Sequence, residues 1–336
     1  MNMQKVPCCK ENCFSAERHS AGSICFILIS SLSLILILGK SGVAIEYMKE
    51  GLDICSHTVV PSLFPFMIIS ELIISSGAIQ KISILLSPIS RMLFGISSNG
   101  GCAYILGLLC GFPIGTKSAV SMYEKGMISK KELEHLITFA NNPSSAFIIN
   151  AVGISLFSEK RLGFMLYGCI VLSSVAVGII GRFLFFSKEE RNSQINNSYI
   201  SDAKKKHGIL LFTSAVKSSA NSMLYVCAYI VFFSAFVGCL GALLADFGIS
   251  ETANTIIFGF FELTSGVGHA AVFPDRFTAI LLCAFFSGWS GLSVHFQIMS
   301  ICSECKISFK KYFAAKFLQG VLCVIFILIF AVIFGL

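Results

Sequence analysis

Long apolar runs alternate with short polar breaks along almost the whole chain. About 18 apolar residues are enough to cross a bilayer as a helix. Seven crossings are predicted on this basis, at residues 23–38, 58–77, 136–157, 162–186, 222–245, 277–301 and 312–336. Two further apolar stretches, 99–120 and 252–272, are dense in glycine and interrupted midway, at 112–115 in one and 264–268 in the other. Non-helical backbone at membrane depth survives only where protein or a water-filled cavity satisfies its polar groups. Pro113 and the polar end at Thr116 and Lys117 favour a re-entrant hairpin over a straight helix packed through Gly107, Gly111 and Gly115. Both stretches are expected to enter and leave on the same side. The expected fold is an all-α polytopic membrane protein with seven transmembrane helices and two re-entrant hairpins.

Composition agrees with the pattern. Hydrophobic residues make up 55% of the chain and charged residues 13%, against about 25% charged in soluble domains. That balance excludes an ordinary cytosolic enzyme, a disordered chain and a nucleic-acid binder, and makes the lipid bilayer the first partner. The net charge of +7 is concentrated in a few short segments. With the N-terminus in the cytoplasm, 18 of the 25 Lys/Arg fall on inside segments, counting Arg182 and Lys316 there. Five fall outside: Lys40, Lys49, Lys160, Arg161 and Arg276. Excess positive charge inside is the rule for such proteins, and treating either hairpin as a crossing would spoil the split.

The organisation expected is a cytoplasmic tail (1–21), an N-terminal anchor (22–39), a repeat (44–186), a polar basic linker (187–208) and a second repeat (209–336). Gly42 to Ala44 offers a small-x-small cleavage site, but the preceding run is long for a signal peptide, so an uncleaved anchor is expected. Most of the fourteen cysteines lie in apolar runs, where a thiol behaves as a small hydrophobe. The lone Cys302/Cys305 pair has no neighbours to complete a four-ligand site, so no metal or cofactor is expected. No DxxD, HExxH or GxSxG motif is present, and no enzymatic activity is expected.

The two halves repeat one another. Residues 51–77 align with 215–241, each a polar start, a long apolar helix and a terminal glycine. Next, 107–117 (GLLCGFPIGTK) aligns with 259–269 (GFFELTSGVGH), and 141–145 (NNPSS) with 286–290 (FSGWS). The order in both halves is helix, hairpin, interrupted helix. With the first hairpin entering from inside and the second from outside, the halves become inverted repeats, an architecture of secondary transporters whose sites lie at discontinuous helices near the midplane. Pro143 gives the first discontinuity a local cause, and Gly288 and Gly291 loosen the second.

The stretches 107–117, 141–143, 260–266 and 288–295 closely resemble the YlbJ-type sporulation integral membrane proteins of the wider nucleoside recognition, or Gate-domain, group. The resemblance covers roughly residues 45–320. It implies a layout similar to part of the concentrative nucleoside transporters, with two re-entrant hairpins and two broken helices. It also implies transport of dipicolinic acid from the mother cell across the outer forespore membrane of a sporulating bacterium. After Asn142-Pro143 the family pattern has Gly-Pro more often than the Ser144-Ser145 found here.

Ionisable groups inside membrane segments are costly and are functional candidates by default. Lys117 ends the first hairpin and His269 occupies the equivalent place in the second, so symmetry-related cations would suit an anionic solute. Thr116 adds a donor beside Lys117; the alternative for Lys117 is snorkelling to the interface. His295 is a site or packing histidine, and Glu262 pairs with a cation, couples protons or caps a hairpin helix. Asn141, Asn142, Ser144, Ser145, Thr264, Ser265 and Ser290 are neutral groups at the breaks that would bind solute or merely satisfy freed backbone. A nucleoside or other neutral-solute carrier and a non-transporting sporulation scaffold remain alternatives. The sequence leaves homo-oligomerisation open.

Overall fold

The computed structural model describes residues 21–76, 83, 86–186 and 208–334. The predicted tail, nearly all of the linker and most of 77–85 lie outside these residues. Among the described residues there are helices and connecting turns and no strand. Four helices are long and apolar enough to cross a membrane: Lys160–Phe185, Gly208–Asp246, Arg276–Ile301 and Lys310–Ile333. They match the predicted spans at 162–186, 222–245, 277–301 and 312–336. Two bent pairs, Ser30–Gly39 with Ser41–Val59 at 101° and Leu86–Phe94 with Ser98–Cys110 at 91°, raise the number to six if each is one span.

The remaining predicted spans are less regular. Residues 58–77 form the shorter helix Val60–Ser75, which carries Pro65 inside it. Residues 136–157 form no continuous rod. Lys130–Phe139 ends at Ala140, an extended segment follows, and Phe147–Leu156 resumes as a π-wound helix. The helix Gly208–Asp246 begins well before the predicted span at 222. At about 1.5 Å per residue its 39 residues greatly exceed a hydrocarbon core of about 30 Å.

Both glycine-rich stretches fold as tight helical hairpins. The first pairs Ser98–Cys110 with Ile114–Glu124, and the turn falls at residues 111–113. The helices cross at Gly107 and Gly115, where a Cβ on either would come within about 3 Å of the other's Cα. The second pairs Glu251–Phe261 with Leu263–Ala271 and crosses at Gly259 and Gly266: a Cβ on Gly266 would sit 2.0 Å from the Gly259 Cα, and one on Gly259 would meet the Phe286 ring at 2.3 Å. Its interruption was expected at 264–268 and lies instead at Glu262. The physical reason is an N-cap: the Glu262 carboxylate accepts from the Ser265 N–H at 2.7 Å, so the helix restarts at Leu263.

Each hairpin is docked on a broken helix. Phe112 N–H donates to the Asn142 carbonyl at 2.8 Å, and Ala140 O lies so close to Gly107 and Gly115 that a Cβ at either would sit 2.0 Å from it. In the second half, Trp289 Nε1 donates to Phe260 O at 2.9 Å, and a Cβ on Gly291 would sit 2.9 Å from the Leu263 nitrogen. The second break lies at Ser290 and Gly291, with φ of 77° and 76°. The C-terminal helix Lys310–Phe334 packs on Lys130–Phe139, Lys160–Phe185 and Arg276–Trp289, joining the two units.

Lys316 was counted among the inside loop charges. It is instead fully buried, on the C-terminal helix and against the first break. One of the eighteen inside charges is therefore withdrawn from the topological count.

Candidate functional site

The first break poses an accounting problem. Pro143 has no N–H to donate and disfavours helix at Asn142, so the carbonyls at the end of Lys130–Phe139 lose their intrahelical donors. Inside a membrane protein each must find another. Asn141 Nδ2 turns back to Ile137 O at 3.0 Å, and Asn142 Nδ2 to Phe139 O at 2.8 Å. Asn142 O takes the hairpin N–H of Phe112. Asn141 O takes the Lys316 ammonium at 2.8 Å.

The remaining acceptors of the two asparagines hold the neighbouring helices. Asn141 Oδ1 accepts from Thr116 N–H at 3.2 Å and Thr116 Oγ1 at 2.6 Å. Asn142 Oδ1 accepts from Gln319 Nε2 at 2.6 Å, and Gln319 Oε1 accepts from Lys316 at 2.7 Å. Thr116, Asn141, Asn142, Lys316 and Gln319 are all fully buried.

Two cavities border this unit, through Pro143 and Ser144 in one and Lys117 in the other, and a third adjoins the first of them. The central one, 460 Å³, is walled mainly by apolar side chains, with His57, Thr58, Ser144, Asn150, Ser155, Glu262, Thr264 and Gln297 as its polar groups. Solute sites of about 300–1,000 Å³ with a mostly apolar wall are the common case. It shares Val226 and Gln297 with a cavity of 250 Å³ that contains Lys117, Glu71, Ser218, Ser222 and Tyr225. On its other side it shares Thr58, Phe147 and Thr264 with a cavity of 640 Å³ that contains Tyr47, Glu50, Ser265 and His269. The two outer cavities have no wall residue in common.

The predicted residues divide accordingly. Ser144, Glu262 and Thr264 face the central cavity, Lys117 the smaller outer one, and Ser265 and His269 the larger. Ser144 also caps the resumed helix, accepting from Phe147 N–H at 3.1 Å. Thr116, Asn141, Asn142, Ser145, Ser290 and His295 line none of the three. His295 is fully buried, bonded through Nδ1 to the Tyr312 hydroxyl at 2.7 Å, with its ring edge-on to Trp289.

Lys117 Nζ is buried without a hydrogen-bond partner. The nearby Glu71 is committed elsewhere, to Lys125 at 3.6 Å and the Ser75 hydroxyl at 3.0 Å. Sequence reasoning missed Gln297, Lys316 and Gln319. Gln297 is buried with an unpartnered Oε1 between two cavities. The signal for the other two was their i,i+3 spacing at the edge of an apolar run, which puts both on one helix face.

Sporulation integral membrane protein YlbJ of Bacillus subtilis (strain 168) is 30% identical to this chain, over 90% of the chain and 82% of that protein. No family model matches the chain, and no solved structure does.

Proposed function

We propose that this chain, which belongs to the YlbJ family of sporulation integral membrane proteins, carries a small anionic solute across a membrane by alternating access. The proposed solute is dipicolinic acid, a pyridine dicarboxylate, moved from the mother cell across the outer forespore membrane. The topology that goes with it has seven crossings and two re-entrant hairpins, arranged as inverted Gate-type repeats with the N-terminus in the cytoplasm.

The observation that carries the reading is Lys117: its ammonium nitrogen is buried without a hydrogen-bond partner, and the residue lines a cavity that shares Val226 and Gln297 with the central one. A buried cation left without an acceptor is costly, and an entering carboxylate would relieve that cost. The two hairpin-on-break units support the repeat. Lys117 and His269, equivalent in the alignment, stand in the two outer cavities on either side of the central one. The central cavity itself has no Lys or Arg in its wall, only neutral donors, His57 and the capping carboxylate of Glu262. That feature favours a second reading, a nucleoside or other neutral solute.

Uptake of labelled dipicolinate into liposomes carrying the purified protein, with an unlabelled nucleoside as competitor, separates the two. Saturable uptake that the nucleoside does not inhibit supports the anion. In a parallel assay with labelled nucleoside, uptake of the nucleoside and not of dipicolinate supports the neutral solute, and uptake of neither overturns transport of both classes.

A further inference from the structure

Lys316 is the most unusual charge in the described chain. It is fully buried among apolar helices, and among the described residues no carboxylate pairs with it. Its nitrogen is held by two oxygen acceptors, Asn141 O at 2.8 Å and Gln319 Oε1 at 2.7 Å. The titratable side chains that interact with it electrostatically are Cys323 and His295, and neither is a carboxylate. A buried ammonium with no counter-ion is expected only where something else supplies negative potential.

The break supplies it. Lys130–Phe139 ends four residues before Pro143, and the C-terminal end of a helix carries about half a negative charge on its unsatisfied carbonyls. The other freed groups of this end receive neutral donors: Asn141 Nδ2, Asn142 Nδ2 and Phe112 N–H. Asn141 O alone receives a charged one. Unwound carbonyls at such helix ends are where transporters bind a monovalent cation.

We propose that Lys316 is a tethered cation: its ammonium fills, from within the chain, the monovalent-cation site created by the broken helix, so that this site takes up no sodium. Gln319 completes the clasp, because it accepts from Lys316 and donates to Asn142 Oδ1, tying both asparagines of the break to one helix turn. A covalently attached ion is present at very high effective concentration and never dissociates. It would hold the break in shape at every stage of a cycle. Its consequence for coupling rests on the transport reading; the cation site itself does not.

The test uses purified full-length protein and two readouts. Thermal unfolding of the wild type is expected to be the same in sodium chloride and choline chloride of equal ionic strength. Lys316→Ala leaves the site empty; its lowered midpoint is expected to be restored in part by methylammonium or sodium and not by the bulky choline. Lys316→Gln, which keeps a donor near Asn141 O without the charge, is expected to unfold well below wild type. A Lys316→Gln protein as stable as wild type would overturn the charge, and a Lys316→Ala midpoint indifferent to every small cation would overturn the site. If Lys316→Ala yields no folded protein, Lys316→Gln decides alone. In liposomes, uptake by wild type is expected to ignore sodium and uptake by Lys316→Ala to acquire a small-cation requirement. Absence of any wild-type uptake would sink the transport reading while leaving the unfolding result to decide on Lys316.

Discussion

Replacing Asn141 with leucine removes a side chain that lines no cavity but holds three buried groups at once. Its amide oxygen accepts from Thr116 N–H and Thr116 Oγ1, and its amide nitrogen donates to Ile137 O. Leucine keeps approximate volume and gains hydrophobicity, so on lipid compatibility alone the change would be harmless. The structure says otherwise. Each buried polar group left without a partner costs about 1–3 kcal/mol, so three together cost at least about 3 kcal/mol. Burial of the new methyl groups returns about 0.8 kcal/mol per carbon at most. Aspartate at the same position keeps the two acceptor contacts and loses the donor to Ile137 O, and its carboxylate charge is offset by the Lys316 ammonium already held on the Asn141 carbonyl. The expected order of stability is therefore wild type, then Asn141→Asp, then Asn141→Leu. Thermal unfolding of detergent-solubilised protein, followed by monodispersity on size-exclusion chromatography, measures it. An Asn141→Leu protein that is monodisperse and unfolds at the wild-type temperature would refute the argument that Asn141 repairs the break.

Four further outcomes are expected. Lys117→Gln should weaken dipicolinate binding in the liposome assay roughly tenfold to hundredfold, from loss of one charge-assisted hydrogen bond of about 1.5–3 kcal/mol, with Lys117→Arg retaining part of the activity; unchanged affinity removes Lys117 from the site. Gly115→Ala should prevent proper folding, because its Cβ would meet Ala140 O at 2.0 Å, whereas Gly268→Ala, with nothing within 4 Å, should express and unfold as wild type. Burial pushes the Glu132 carboxyl up from its ordinary 4.5 to about 7, although it accepts from Ser97 N–H at 2.8 Å and Ser97 Oγ at 2.6 Å. The folded chain holds that proton more tightly, so the contribution to stability is complete below about pH 4.5 and is lost as pH rises through about 7; Glu132→Gln should flatten the unfolding temperature across that window. Single cysteines introduced at Lys125 and Lys306 should label from one side of the membrane and one at Asp275 from the other, and a different pattern discards the inverted-repeat topology.

Much of the architecture was legible along the chain because a bilayer imposes a one-dimensional code. Runs of apolar residues predicted the helices Lys160–Phe185, Arg276–Ile301 and Lys310–Ile333 to within a few residues. Glycine density located both hairpins, since close helix crossing requires residues without a Cβ, and Pro143 located the first break by removing a donor. The common order of hairpin and broken helix in the two halves was also readable, because each hairpin docked on a break needs glycine at the crossing and a helix breaker beside it. What could not be read was which polar group answers which. Asn141 and Asn142 look alike as solute ligands and as backbone repair until Ile137 O and Phe139 O are seen to accept from them. Lys316 looks like a loop charge beside Lys310 and Lys311 until the C-terminal helix is laid against the break some 175 residues earlier in the chain. Hydropathy and spacing report the local preference of a segment for lipid or water. The partners of a buried charge are set by contacts distant in sequence, which only the packed structure determines.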